Sequence, residues 1–186
     1  MDILEAIKAR YSNNKVKVDE VPRDVIEKLL DAGNQAPNHY TVRPWRFIVL
    51  TGNARNKLGD VMAASFADRN PDLPPEGLDK TRALPLRAPV LIAVGVDTPS
   101  DSRVREDENR SAASAACQNI LLAAHALGLG AQWRTGDWAR DAKVKKFLGL
   151  EEDQHIEAFI YIGYPMETTT ESAPRPSVED RVVWME

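Results

Sequence analysis

Residues 108–130 read ENRSAASAACQNILLAAHALGLG. From Ser111 onward the segment is nearly apolar on every side and crowded with alanine. A helix without a polar face has to be buried, and small side chains let a second backbone come close. Two placements satisfy this: the central helix of a domain, or a helix at a large homodimer seam. Both can hold together. Gly128 and Gly130 end the helix in the usual manner. Residues 131–138, AQWRTGDW, follow as a short strand leading into a glycine-containing turn.

The flanks supply the other layers. WRFIVLT (45–51) and APVLIAVGV (88–96) are β-branched runs of strand type, and HIEAFIYIGYP (155–165) is a further strand. Ile3, Leu4 and Ile7 form one face of a first helix. In PRDVIEKLLDAG (22–33), Pro22 takes the first helical position, and Val25, Ile26, Leu29 and Leu30 recur at helical spacing. Asn53 caps a helix carrying Leu58, Val61, Met62 and Phe66. RNPDLPPEG (69–77) reads as a surface loop. The order is helix, helix, strand, helix, strand, helix, strand, helix, strand, tail. No repeat, low-complexity tract or linker divides the chain, so residues 1–186 are expected to form a single domain.

Composition narrows the function. Among 186 residues, 24 are Lys or Arg and 28 are Asp or Glu, for a formal net charge of −4. No segment concentrates the basic residues, which argues against nucleic acid. A single Cys excludes an internal disulfide framework and fits a reducing cytoplasm. The N-terminus, MDILEAIKAR, carries charge from its second residue and has no signal-peptide core. No apolar run approaches bilayer length. The expectation is a soluble, cytoplasmic chain without a membrane partner.

The chemistry-bearing residues are scattered. GLGAQW follows a helix and precedes a strand, the reverse of a dinucleotide-binding fingerprint. There is no Walker A loop and no GxSxG elbow. His39, His125 and His155 lack metal-ligand spacing, and the latter two read as structural. Cys117, within the alanine-rich helix, reads as a small core residue. Glu151 and Glu152 read as solvated helix-end charges. With no acid–base pair, activated nucleophile or metal, any enzyme here depends on a cofactor for its hard chemistry.

One connection is unusual. Residues 35–47, QAPNHYTVRPWRF, join a helix to a strand with two prolines and many groups able to stack or hydrogen-bond. Proline pre-sets the backbone, which suits a loop held rigidly against something flat. The plainer reading is a buried connector whose Trp fills a core gap.

Four motifs in order, IKARYSNNK, APNHYTVRPWRF, GLGAQWRTG and APRPSVEDRVVW, resemble the nitroreductase-like flavoproteins. They look most like the short, single-domain NAD(P)H nitroreductase subgroup. The resemblance covers essentially the whole chain. It implies an α+β fold, with a central, mostly antiparallel sheet flanked by helices, an intertwined homodimer, and FMN at the subunit interface. The C-terminal arm, about residues 165–186, is expected to reach across the dimer. Arg10 and Ser12 match the family's Arg-x-Ser, which holds the phosphate and ribityl chain, and Arg175 aligns with an arginine that closes over that phosphate. Tyr11 and Asn14 belong to the same segment. Pro37, Asn38 and His39 match a loop that covers the partner's flavin, with Gln35 and His39 as donors or acceptors to its ring and Trp45 as the core anchor. Trp133, Arg134, Thr135 and Gly136 would run along the ring's other side. There a backbone N–H reaches flavin N5, and Arg134 serves either the reduced ring or the phosphate.

The chain departs from the usual pattern at Tyr11, Asn14, Thr41 and Arg43. It also lacks the long insertion of larger relatives. The resemblance implies an oxidoreductase using NAD(P)H to reduce a flat aromatic acceptor, such as a nitroaromatic or quinone, by a ping-pong mechanism. A specialised flavin reductase, and a flavin-binding storage or sensing protein, remain alternatives.

Overall fold

Val90–Val96 (β2) is buried at all seven positions, so it requires a layer of side chains on each of its faces. The computed structural model describes residues 2–72, 74–99, 102–167 and 175–186, and it supplies both layers. The other strands are Trp45–Thr51 (β1), Gly130–Arg134 (β3) and His155–Gly163 (β4). They form one sheet in the order β1-β2-β4-β3, and every pair is antiparallel.

Arg23–Asn34 (α2) and Glu106–Ala126 (α5) cover one face. Ile26 and Leu29 of α2 and Ala113, Ala116, Cys117, Ile120 and Ala124 of α5 pack there against Val90, Ile92, Val94, Ala158, Ile160 and Ile162. Asn53–Arg69 (α3) and Ala142–Phe147 (α6) cover the other face. Leu58, Met62 and Val144 meet Leu91, Ala93, Phe159 and Tyr161 there. Ile3–Ala9 (α1) touches α5, and Pro75–Arg82 (α4) packs on α3.

The strand alternation breaks once. Val94 pairs with Ala158 but Gly95 pairs with Ile156, leaving Glu157 as the extra residue of a bulge. Ile156 therefore joins the α3 side while Ala158 faces α5.

Several expectations need correction. Residues 75–77 are the first turn of α4, because Pro75 is acceptable at a helix start, where its missing N–H has no intrahelical partner anyway. Pro22 caps α2 rather than beginning it; its carbonyl accepts from Val25 and Ile26, both at 3.1 Å. Gly52, at φ +47°, caps α3, and Asn53 is the first helical residue. On α1 the buried residue is Ala6, while Ile3, Leu4 and Ile7 are 60%, 72% and 48% exposed. Helix α5 is central to the fold but not enclosed by the chain: Ser111 and Gln118 are exposed, and Ala115, Leu122 and Ala123 are partly so. Among the described residues no helix is long and apolar enough to cross a membrane.

Candidate functional site

Arg10 ends α1, where the chain turns to extended geometry (φ −60°, ψ 128°). The extended segment then runs past the sheet. Asn13 N–H donates to the carbonyl of Ala131 (2.9 Å), and Val16 bridges to Pro165. Residues 10–12 thereby lead into a segment held beside β3. Tyr11 is half-buried and its hydroxyl accepts from Asn13 Nδ2 at 3.3 Å, while Ser12 is exposed.

Arg175 returns to this point from the far end of the sequence. Burial lowers the pKa of the Arg10 guanidinium, and the charge of Arg175 lowers it further. Among the described residues no carboxylate forms an ion pair with either arginine. A guanidinium that feels a second one and has no ion-pair partner among the described residues suits an anionic ligand, since phosphate takes bidentate hydrogen bonds from arginine.

The β3 turn is fixed by different means. Trp133 lies on the α5 face, half-buried, and its Nε1 donates to the carbonyl of Glu157 at 3.2 Å. The Glu157 carboxylate accepts from Ser114 Oγ (2.8 Å) and from Arg110 Nε (3.3 Å). The bulge thus anchors the indole. Sequence reading missed this cluster, although an acid inside the apolar run HIEAFIYIG is a visible signal for it. Thr135 and Gly136 are exposed. Gly136 has φ +83° and ψ −161°, a conformation essentially restricted to glycine, and open space lies where a Cβ would stand.

Alternation turns Gln132 and Arg134 to the opposite face from Trp133. Arg134 Nε donates to Gln132 Oε1 (3.1 Å). Arg134 and Asn14 line a pocket with Arg87 and Tyr161. Burial raises the pKa of the Tyr161 phenol, and the charges of Arg87 and Arg134 pull it back. Arg134 is thus grouped with Arg87 rather than with Arg10.

The loop after α2 forms a third group. Pro37, Asn38 and His39 line a groove against Asp107, Glu108, Ser111, Ala112 and Ala115 of α5. None of the N-terminal or β3 candidates lines that groove. His39 Nε2 lies 3.8 Å from a Glu108 carboxylate oxygen. Asn38 serves the loop itself: its Oδ1 accepts from Arg43 N–H (2.8 Å) and its Nδ2 donates to the Ala36 carbonyl (3.3 Å). Gln35 is exposed. Trp45 is 7% exposed and donates to Asn34 Oδ1 at 3.2 Å, the core anchor expected of it. Three non-glycine residues are left-handed here, Tyr40, Thr41 and Arg43, with φ of 49°, 53° and 48°. Such strain persists only where the surroundings enforce it. The Arg103 guanidinium over the Tyr40 ring, 4.4 Å from its centroid, is one such restraint.

Comparison with known proteins gives one consistent answer. A sequence model of the nitroreductase family matches residues 7–164. The chain is 31% identical over 182 residues to the "Putative NAD(P)H nitroreductase YfhC" of Bacillus subtilis, covering 97% of this chain and 93% of that protein. Its fold matches that of a nitroreductase-like family protein from Bacillus cereus with a TM-score of 0.86 and 27% identity, over 100% of this chain and 97% of the other. A "putative nitroreductase in complex with fmn" from Desulfovibrio desulfuricans gives a TM-score of 0.78 and 27% identity, over 100% and 98% of the two chains.

Proposed function

The chain belongs to the nitroreductase family, and from that premise we propose that it is a homodimeric, FMN-dependent NAD(P)H oxidoreductase of the cytoplasm. Its acceptor is a flat aromatic such as a nitroaromatic or a quinone. The observation that carries this reading is Arg10, within reach of the charge of Arg175 and without an ion-pair partner among the described residues, on the segment that Asn13 ties to β3.

Arg10, Ser12 and Arg175 would hold the FMN phosphate, with Tyr11 in the same segment and Asn14 further along it, on the pocket lined by Arg87. When FMN is bound, Trp133 and Gly136 would form a rigid edge beside it, and the backbone N–H groups of this turn would be available to its ring. Thr135 would complete that edge, while Arg134 stands apart from it in the pocket lined by Arg87 and Tyr161. Gln35, Pro37, Asn38 and His39 cover the site of the partner subunit, which accounts for a strained loop standing apart from the phosphate group. The partly open face of α5 forms the seam, and the C-terminal arm reaches across it; residues 168–174 of that arm lie outside the described residues. When bound, FMN supplies hydride transfer from NAD(P)H to the acceptor. No side-chain acid is required, because water delivers the protons.

Absorbance of the purified protein, followed by identification of the released chromophore, tests the cofactor. A colourless protein that takes up no added FMN would overturn the reading. Anaerobic bleaching by NAD(P)H separates a reductase from a storage or sensing protein. Parallel double-reciprocal lines are expected when NAD(P)H and acceptor are varied together. Intersecting lines would indicate that the two do not share one face.

A further inference from the structure

The Gly136 turn is exposed and takes a conformation that suits glycine alone, so its aim depends on what holds its two flanks. The near flank is the Trp133–Glu157 anchor on the α5 face. The far flank is held from α3, on the opposite face of the sheet. The Asp141 side chain is only 5% exposed. Its Oδ1 accepts from Val144 N–H at 3.0 Å, capping α6, and its Oδ2 accepts from Ser65 Oγ at 2.5 Å and from Arg69 Nη2 at 3.2 Å. Arg69 Nε also donates to the Ser65 carbonyl at 3.2 Å, and its guanidinium lies over the Trp138 ring, 5.1 Å from the centroid. Phe66 of α3 meets the same ring edge-on at 6.1 Å.

Capping the six-residue helix α6 does not require this arrangement. A solvated Asp, Asn or Ser suffices at an N-cap, and enclosing a carboxylate with a guanidinium is a weak source of net stability. What the extra donors do is fix residue 141 to α3. Only the single 3-10 turn Asp137–Arg140 separates it from Gly136, and that turn closes back on Gly136. The Gly136 carbonyl accepts from Ala139 N–H at 3.2 Å and from Arg140 Nη1 at 3.3 Å, while Asp141 N–H donates to the Trp138 carbonyl at 3.4 Å. The run from Gly136 to Asp141 is a closed set of hydrogen bonds, bolted to α3 at Asp141 and at Trp138.

We propose that Asp141 is a positioning residue for the flavin edge: held by Ser65 and Arg69, it fixes the Asp137–Arg140 turn and so sets the direction of the backbone N–H groups at Thr135 and Gly136 before any ligand binds. The assignment rests on the function proposed above and adds to it the α3 residues that preorganise that edge. A turn held on both flanks loses little entropy on meeting a flat ring. The role of Asp141 is one of aim, exerted through the backbone.

Amide hydrogen exchange on the cofactor-free protein tests the anchor. Asp141→Asn keeps a cap for α6, since Asn serves as well as Asp there, but removes the charge that Arg69 holds. Arg69→Gln, at a half-exposed position, leaves the cap untouched and carries the test should Asp141→Asn fold poorly. In both variants exchange over residues 134–140 is expected to quicken by about tenfold or more relative to β2, whose exchange reports global opening. Equal quickening of both segments, or no change over 134–140, would overturn the anchor. The FMN-loaded protein then tests the site. Flavin reduction at saturating NAD(P)H is expected to slow by about tenfold or more, with KM and FMN affinity little changed because the phosphate anchors lie elsewhere. Quickened exchange with an unchanged rate at saturation would show that the turn is anchored but does not serve the flavin, and would overturn the positioning role. An unsubstituted protein that takes up no FMN would overturn the proposed function and the positioning role with it, and the exchange result still reads the anchor on its own.

Discussion

Arg175 acts on Arg10 across nearly the whole length of the sequence, its charge adding to burial in lowering the Arg10 pKa. Two like charges held together cost the ligand-free protein stability and repay it when an anion arrives. Arg10→Ala is therefore expected to weaken FMN by about 1.5–3 kcal/mol, the range for hydrogen bonds to charged groups. The same variant raises the melting temperature of the cofactor-free protein. Inorganic phosphate is expected to stabilise the unsubstituted apoprotein by binding its folded state, and to lose most of that effect in the variant. Thermal unfolding with and without phosphate reads both signs.

Trp133 is expected to hold the β3 turn through its Nε1 bond to Glu157. Trp133→Phe keeps the ring but leaves the bulge carbonyl without this donor. The expected loss is about 0.5–1.5 kcal/mol by urea unfolding, a typical neutral hydrogen bond. Turnover falls by more than stability alone accounts for, because the turn is no longer aimed. Unchanged turnover would remove the anchor from the site.

At Gly136 the obstacle to a side chain is the backbone, not space. Gly136→Ala meets no neighbour but has to adopt φ +83°, at a cost of about 1–2 kcal/mol or more. Gly136→Val adds a branched side chain beside the proposed N5 position. We expect FMN retained in both, with anaerobic reduction by NAD(P)H slower in valine than in alanine. An unchanged rate in Gly136→Val would place this turn elsewhere.

The sequence revealed different parts of the molecule unequally. Strands β1, β2 and β4 were legible because an apolar, β-branched run has few other uses, and α5 because alanine in such density demands close packing. Helix α4 was hidden by the prolines and glycine that usually mark loops. The pairing of Arg10 with Arg175 followed only from family resemblance, since nothing local links them. Asp141 and Glu157 were illegible for a common reason. What matters about each is a tertiary event: for Asp141 the approach of Ser65 and Arg69, and for Glu157 a slip in register between β2 and β4. Neither leaves a periodic trace.

Cys117 is fully buried in α5, and burial pushes its thiol from 9.0 up to about 12. The folded form keeps the proton that the unfolded chain releases. Its contribution is complete below about pH 9 and is lost as pH rises toward 12. Each unit in that window removes at most about 1.4 kcal/mol. The urea midpoint of the native protein is expected to fall more steeply between pH 8.5 and 10.5 than that of Cys117→Ala, which cancels the other titrations common to both.

The spare residue in β4 makes two properties of the molecule separable. Because Glu157 is supernumerary, deleting it leaves Ile156 next to Ala158, and simple alternation still directs Ile156 toward Phe159 and Tyr161. The shortened strand keeps every core side chain on its present side. What disappears is the acceptor for Trp133 and the partner of Arg110 and Ser114. A one-residue indel at this point is thus nearly silent for folding and consequential for the site. Homologous chains that differ by this single residue are expected to share the architecture while differing in how firmly the β3 turn is aimed.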